Sequence, residues 1–315
     1  MYEISPVLGR QSIRISGCLE GEVMSPFFSV VTATYNRANL IHRVFESLMC
    51  QTYQNFEWVV IDDGSTDDTD VVIKNFVDQS FFHIKYVRIE NGGKANALNS
   101  SLQHCEGILY LVLDSDDWCD ADALEVLFNE YSSLDENERC QYFALSCLKR
   151  YQDGRVVGDD YSNLNKYGST YIDRLNKNVK GDKWECLVFD KVRDCLYPLA
   201  ANEKYMAPGY VWLKMAELGY MTVFINKSLS VIEYRSDGIS LNNIKHRLSS
   251  LGNTIRYYKE FAKLRGATYW VRGRYYANYV RFSTHARLFP EFSMSLFPFA
   301  FVGLLLYLFD RARPR

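Results

Sequence analysis

The chain has 315 residues, 48% of them hydrophobic and 15% aromatic, enough to bury a full core as one large domain with an appendage or as two modest domains. Neither low hydrophobicity nor a repeat of fixed period is present, which excludes a disordered chain and a solenoid. The net charge of −2 hides a split: residues 245–287 carry ten Lys/Arg against Glu260 alone, whereas residues 1–244 carry 23 basic and 35 acidic side chains, so the C-terminal third needs an anionic partner or surface.

Residues 1–25 read as an N-terminal extension. The first eight residues lack a basic stretch followed by a long apolar run, so no secretory signal is expected. From residue 26 a strand–helix alternation begins. Residues 28–34 form an apolar strand, after which Leu40, Ile41, Val44, Phe45, Leu48 and Met49 recur at helical spacing. Residues 56–61 form a second strand, closed by the turn formers Asp62-Asp63-Gly64-Ser65. A short helix over 71–77 and a third strand over 83–87 follow. Asn91-Gly92-Gly93 makes the next turn, and the following helix puts Ala95, Leu98, Leu102 and Cys105 on one face. Residues 108–113 are almost wholly apolar, as a central strand covered on both faces should be. They run into Asp114-Ser115-Asp116-Asp117, with Asp120 or Asp122 expected to cap a helix that carries Leu124, Leu127 and Phe128.

Strand, crossover helix and strand, repeated three times, predict a mostly parallel sheet with helices on both faces. Ligands of such sheets bind beyond the carboxyl ends of the strands. Thr34-Tyr35-Asn36, Asp62-Asp63 and the acids from Asp114 to Asp117 should therefore share one rim. A single Asp at a strand end is more often a turn former or helix cap. Asp114, Asp116, Asp117 and Asp120 together repel one another unless a cation or shared proton relieves them, and a hard ion such as Mg²⁺ or Mn²⁺ suits that donor set. Gly92-Gly93-Lys94 before a helix can offer amides and an ammonium to a phosphate. The five histidines show no ligand spacing, against a zinc site, and no G-x-G-x-x-G occurs. Eight cysteines without a C-x-x-C pair read as free thiols, consistent with a reducing cytoplasmic address.

The blocks 29–37 (SVVTATYNR), 59–69 (VVIDDGSTDDT), 91–99 (NGGKANALN) and 113–118 (LDSDDW), in this order and spacing, closely resemble the family 2 glycosyltransferases. The resemblance covers about residues 26–150. It implies a GT-A fold and an inverting, metal-dependent transfer from a nucleoside diphosphate sugar, with uridine the commonest base. It also implies that Thr34, Tyr35 and Asp63 lie against the nucleobase and ribose. Asp114 and Asp116, with Asp117 adjacent, would lie at the metal and the donor's ribose and diphosphate, near Lys94.

Residues 151–235, expected to form the acceptor region, are less regular. A strand is predicted over 186–189, a helix over 209–218, and strands over 221–225 and 229–234. Gly181-Asp182-Lys183, Asn202-Glu203-Lys204-Tyr205 and Tyr210-Val211-Trp212 are similar to a subgroup acting on bacterial surface polysaccharides. Many of those relatives carry an acid four positions before the Trp, where Pro208 stands here. The expected catalytic base is therefore Glu203, with Asp182 second. A surface or helix-start role for Glu203 weighs about as much.

From residue 236 a basic helical tail is expected. Its run 292–309 has no charged residue in 18 positions, though Pro298 interrupts it. A core helix is the bland alternative. Its aromatics and flanking Arg/Lys favour a segment lying at a membrane interface, with the basic region facing anionic lipid on the cytoplasmic leaflet. Basic residues with interleaved Tyr and Trp could instead bind nucleic acid, but nothing else in the chain supports that and the acidic body opposes it. The expected partners are a nucleoside diphosphate sugar, a glycan or lipid-linked saccharide acceptor, and an anionic membrane surface. A nucleotidyltransferase with carboxylate-held metal, or an inactive glycan-binding subunit, would use much of the same inventory.

Overall fold

The computed structural model describes residues 25–235, 238 and 242–312. The N-terminal extension, apart from Ser25, lies outside the described residues, as do Leu241, Arg313 and Arg315.

The first half runs β1 (Phe28–Thr34), α1 (His42–Met49), β2 (Phe56–Asp62), α2 (Thr69–Gln79), β3 (His83–Arg88), α3 (Lys94–Ser101) and β4 (Leu109–Val112). Its strands pair in parallel in the order β3-β2-β1-β4. Strand alternation sorts the side chains between two layers. Val30, Trp58, Val60, Leu109 and Leu111 pack with Val44, Leu48, Ile73 and Phe76 on one face. Val31, Val59, Ile61 and Tyr110 pack with Ala97 and Leu98 on the other. Even the polar member of this core is satisfied: the Trp58 Nε1–H donates to Thr32 Oγ1 at 2.9 Å.

The second half adds β5 (Trp118–Cys119), α4 (Ala123–Ser132), α5 (Glu136–Gln141), β6 (Tyr142–Tyr151), α6 (Tyr171–Asn176), β7 (Lys183–Val188), α7 (Phe189–Val192), α8 (Gly209–Glu217) and β8 (Met221–Ile232). The sheet continues β4-β7-β6-β8-β5. Here β7 is antiparallel to β4 and β6, β8 is parallel to β6, and β5 is antiparallel to β8. The eight-stranded sheet is thus mixed, more so than the strand–helix alternation predicts.

Strand β6 has no counterpart in the sequence reading. Its first seven residues are all buried, so the polar alternation that marks a half-exposed strand is missing. The two strands expected over 221–234 are one strand, β8, in which Asn226 and Lys227 are exposed and the pairing with β6 slips near Cys147–Leu148. The expected side-chain cap of α4 is also absent. Asp122 holds the N-cap position without a capping bond, its carboxylate pairing with Lys227, and Asp120 pairs with Arg150.

The tail consists of α9 (Asn243–Ser249), α10 (Leu251–Phe261), α11 (Tyr269–His285), a 3₁₀ turn at Met294–Leu296 and α12 (Phe297–Ala312). Helix α12 runs parallel to α11. A Cβ on Gly273 would strike Phe299, and one on Gly303 would lie 2.4 Å from the Ala277 carbonyl oxygen. Farther along, Arg281 and His285 meet Asp310. Parallel neighbours need a return segment. Residues 286–293 provide it, pinned where the Tyr276 hydroxyl donates to Glu291 O and the Tyr279 hydroxyl accepts from Glu291 N. Pro298 does not interrupt the apolar run. It sits in the first turn of α12, where a missing N–H costs nothing.

Candidate active site

The C-terminal ends of β1, β2 and β4 open on a cleft of about 770 Å³, lined among others by Thr34, Tyr35, Asp63, Lys94, Asp114 and Asp116. The two carboxylates after β2 divide their work. Asp62 builds the turn, accepting from the Ser65 amide at 2.7 Å and the Tyr86 hydroxyl at 2.5 Å. Asp63 holds the opposite loop. Its oxygens accept from the Gly92 and Gly93 amides, each at 2.8 Å, and from Asn91 Nδ2 at 3.1 Å. Burial pushes its carboxyl above the usual range, and the two glycine amides oppose that. Gly93 has φ 89°, and a Cβ there would lie 2.1 Å from the Lys204 carbonyl oxygen, so no other residue fits this turn. The Thr34 hydroxyl is buried in the cleft wall with no hydrogen-bond partner among the described residues, an orphan that a bound ligand can satisfy.

The acids after β4 are not equivalent. Asp114 binds Lys94 Nζ at 2.5 Å. Burial works against its charge, but Lys94 and Lys149 hold its carboxyl below the usual range. Asp117, also on the cleft wall, is held in a buried ion pair with Lys149 at 2.9 Å. Burial pushes its carboxyl up to about 6, and although burial also disfavours the Lys149 ammonium, Asp117 and Asp114 keep that group firmly charged. An Asp committed this way anchors the loop, and of the three expected metal acids it is the one most deeply tied to a protein partner. Asp116 is half-buried, and among the described residues its carboxylate has its own amide as donor and no side chain paired to it. Burial and the Asp114 charge raise its carboxyl above the usual range.

No group of three His, Cys, Asp or Glu able to hold a metal ion occurs among the described residues. Two carboxylates, one with no side chain paired to it and one paired only to a flexible lysine, nevertheless fit a hard cation whose remaining ligands are phosphate oxygens and water.

The structure separates the two candidate bases. Both oxygens of Glu203 accept backbone N–H bonds at 2.6 Å, from Gly252 and Asn253 at the start of α10. Glu203 caps α10, not the following helix α8 as the helix-start alternative had it, and it is not among the residues lining the cleft. Removing it should act on stability alone. Glu203→Ala is expected to cost about 1–2 kcal/mol in urea unfolding, with turnover per folded molecule essentially unchanged.

Asp182 does line the cleft. The β4–β7 register pairs Leu109 with Val188 and Leu111 with Cys186. Continued past β4, it brings Asp182 alongside Ser115. Trp184 secures this seam by donating from Nε1 to Val112 O at 2.7 Å, and the Tyr234 hydroxyl donates to Asp182 Oδ2 at 3.0 Å. Residues that the sequence reading missed include Lys149, on the unrecognised strand β6, and the cleft aromatics Trp184 and Tyr197, which join the expected Trp212. For Lys149 the usable signal was the Lys149-Arg150 pair that closes an apolar run.

Comparison with known proteins agrees with this geometry. The sequence profile described as Glycosyl transferase family 2 matches residues 29–190. Glycosyltransferase GlyA of Streptococcus pneumoniae is 26% identical over 234 residues, covering 67% of this chain but only 31% of GlyA, so the chain spans under a third of that relative. Staphylococcus aureus TarS 1–349 in complex with UDP-GlcNAc superposes with a TM-score of 0.55 at 18% identity, over 89% of this chain and 80% of TarS 1–349. The Pyrobaculum calidifontis mannosyltransferase PcManGT, in complex with GDP-Man and Mn²⁺, gives 0.55 at 20% identity, over 93% and 77%. Likeness at this identity shows the fold, which is α/β and GT-A-like with a mixed sheet.

Proposed function

Because the chain belongs to glycosyl transferase family 2, we propose that it transfers a sugar, with inversion, from a nucleoside diphosphate sugar to a hydroxyl of a glycan or lipid-linked saccharide. The observation that carries this reading is the rim itself. An orphan Thr34 hydroxyl, the glycine turn held by Asp63, Lys94 and the Asp114–Asp116 pair line one cleft at the carboxyl ends of β1, β2 and β4.

In this reading Tyr35 and Thr34 face the nucleobase, and Asp63 shapes the wall beside the ribose. Asp114 and Asp116 would hold a Mg²⁺ or Mn²⁺ ion, which when bound neutralises charge on the departing diphosphate. Lys94 supplies a second positive group at the same place. The acceptor hydroxyl enters from the β7 side. Asp182 takes its proton as the oxygen attacks the anomeric carbon, and the bond to the diphosphate breaks with its electron pair leaving on the nucleotide. The Tyr234 hydroxyl, held protonated by burial and by the Asp182 charge, orients that carboxylate.

The reading is tested by thermal unfolding with nucleoside diphosphates and their sugars, each with and without Mn²⁺. One base should stabilise the protein selectively and in a Mn²⁺-dependent way, by about 2.7 kcal/mol when the ligand is at a hundred times its dissociation constant. Equal shifts with nucleoside triphosphates alone, or none with any diphosphate, would count against it. TarS was solved with UDP-GlcNAc, so a uridine donor is the first to try.

A further inference from the structure

Helix α12 uses one face and leaves the other bare. Leu296, Phe299, Gly303 and Asp310 turn toward α11, whereas Phe301, Leu304, Leu305, Leu308 and Phe309 are 43–65% exposed. The bare face extends past the helix, where Phe297 contacts both Phe292 and Phe301 and Trp270 packs edge-on against Phe299. Met294 is 84% exposed beside them. A contiguous apolar surface of this extent marks an interaction site.

Its surroundings identify the partner. Residues 242–312 hold 11 Lys/Arg and three acids. All three acids are already neutralised: Glu260 by Lys214, Glu291 by Lys259 and Lys263, and Asp310 by Arg281 and His285. Arg274, Arg287 and Arg311 are exposed, and none contacts an acid among the described residues. A second copy of the chain would present the same basic rim, so an isologous pair through this face would oppose like charges. An anionic lipid surface matches both the apolar face and the rim.

We propose that this face docks flat on an anionic bilayer, with α12 lying in the headgroup–acyl boundary. The stretch Met294–Ala312 is long and apolar enough to cross a membrane, with mean hydropathy 1.4 over 19 residues. Crossing is opposed by its attachment. Asp310 is bound to Arg281 and His285 of the parallel α11, so a spanning α12 would draw Arg272, Arg274 and Arg281 into hydrocarbon. Lying flat leaves the ion pair in place and the arginines at headgroup level.

The inference goes beyond the donor chemistry and is tested apart from it. Full-length protein is mixed with phosphatidylcholine vesicles, with or without phosphatidylglycerol, at low and high salt. Binding should require phosphatidylglycerol at low salt, survive in part at high salt, and move to fresh vesicles on mixing. The double variant Leu305→Asp with Leu308→Asp changes only exposed side chains. It should bind at least about tenfold more weakly while keeping its nucleotide-induced thermal shift. Three outcomes would overturn the proposal: a monomer indifferent to vesicles, a dimer that the aspartates dissociate, or bound protein that never exchanges, which would mean a spanning helix.

Discussion

Asp182→Asn is expected to bind donor as tightly as the parent chain and to lose about 10²–10⁴-fold in transfer rate, the usual worth of a general base. The substitution keeps the size of the side chain and an oxygen able to accept from Tyr234, so the wall of the cleft should not move. Only the capacity to take a proton is removed. The measurement pairs a donor titration by thermal shift with the initial rate of nucleoside diphosphate release in the presence of acceptor. Weakened donor binding would mean that Asp182 shapes the donor site. Near-native turnover would send the proton elsewhere, and Glu233, held by Arg43 at 2.5 Å on the same cleft, is the next carboxylate.

The second large effect is expected at Asp116. Its carboxylate is half-buried beside Asp114 with no side chain paired to it among the described residues, and burial and the Asp114 charge outweigh the help of Lys94, Arg37 and its own amide. Asp116→Ala should therefore leave donor-free stability equal or slightly higher, because a repulsion disappears. The Mn²⁺-dependent part of the nucleotide shift should vanish, a loss of up to about 2.7 kcal/mol at the concentrations described above. Unchanged affinity with unchanged Mn²⁺ dependence would remove Asp116 from the metal site. A large fall in donor-free stability would instead assign it a structural role.

The parallel half of the sheet was legible because each of its elements repeats a simple local pattern. Residues 28–34, 56–61 and 108–113 are apolar runs closed by polar turn formers, and helical spacing separates them. The rim followed, since parallel strands put like ends together. In the second half α8, β8 and the end of β7 were legible, but β6 and the antiparallel pairing were not. Tyr142 to Leu148 is apolar on both faces, and the pairing of β7 with β4 depends on contacts far apart in sequence, such as Trp184 with Val112.

Among the acids, sequence gave no means of telling Asp116 from Asp117. The difference is the burial of Lys149 against one of them, a tertiary contact. Glu203 misled for a related reason. An acid near an expected catalytic position looks the same whether it faces the cleft or the first amides of a helix 49 residues later. Pro298 misled because helix-breaking and helix-starting prolines differ only in where the helix begins.

The ion pair between Lys94 and Asp114 has a consequence for how the cleft fills. Lys94 is a resident counter-charge, so the donor-free pocket is partly neutral and has a reduced pull on stray cations. On the proposed reading, a cation entering alone would have to displace the ammonium, leaving it only the charge of Asp116 nearby. A diphosphate entering as well would give Lys94 phosphate oxygens as a new partner. The two ligands would then favour each other's binding through one side chain, and the linkage would be reciprocal. Such a cleft would act as an exchanger of counter-ions, filling in a single cooperative step.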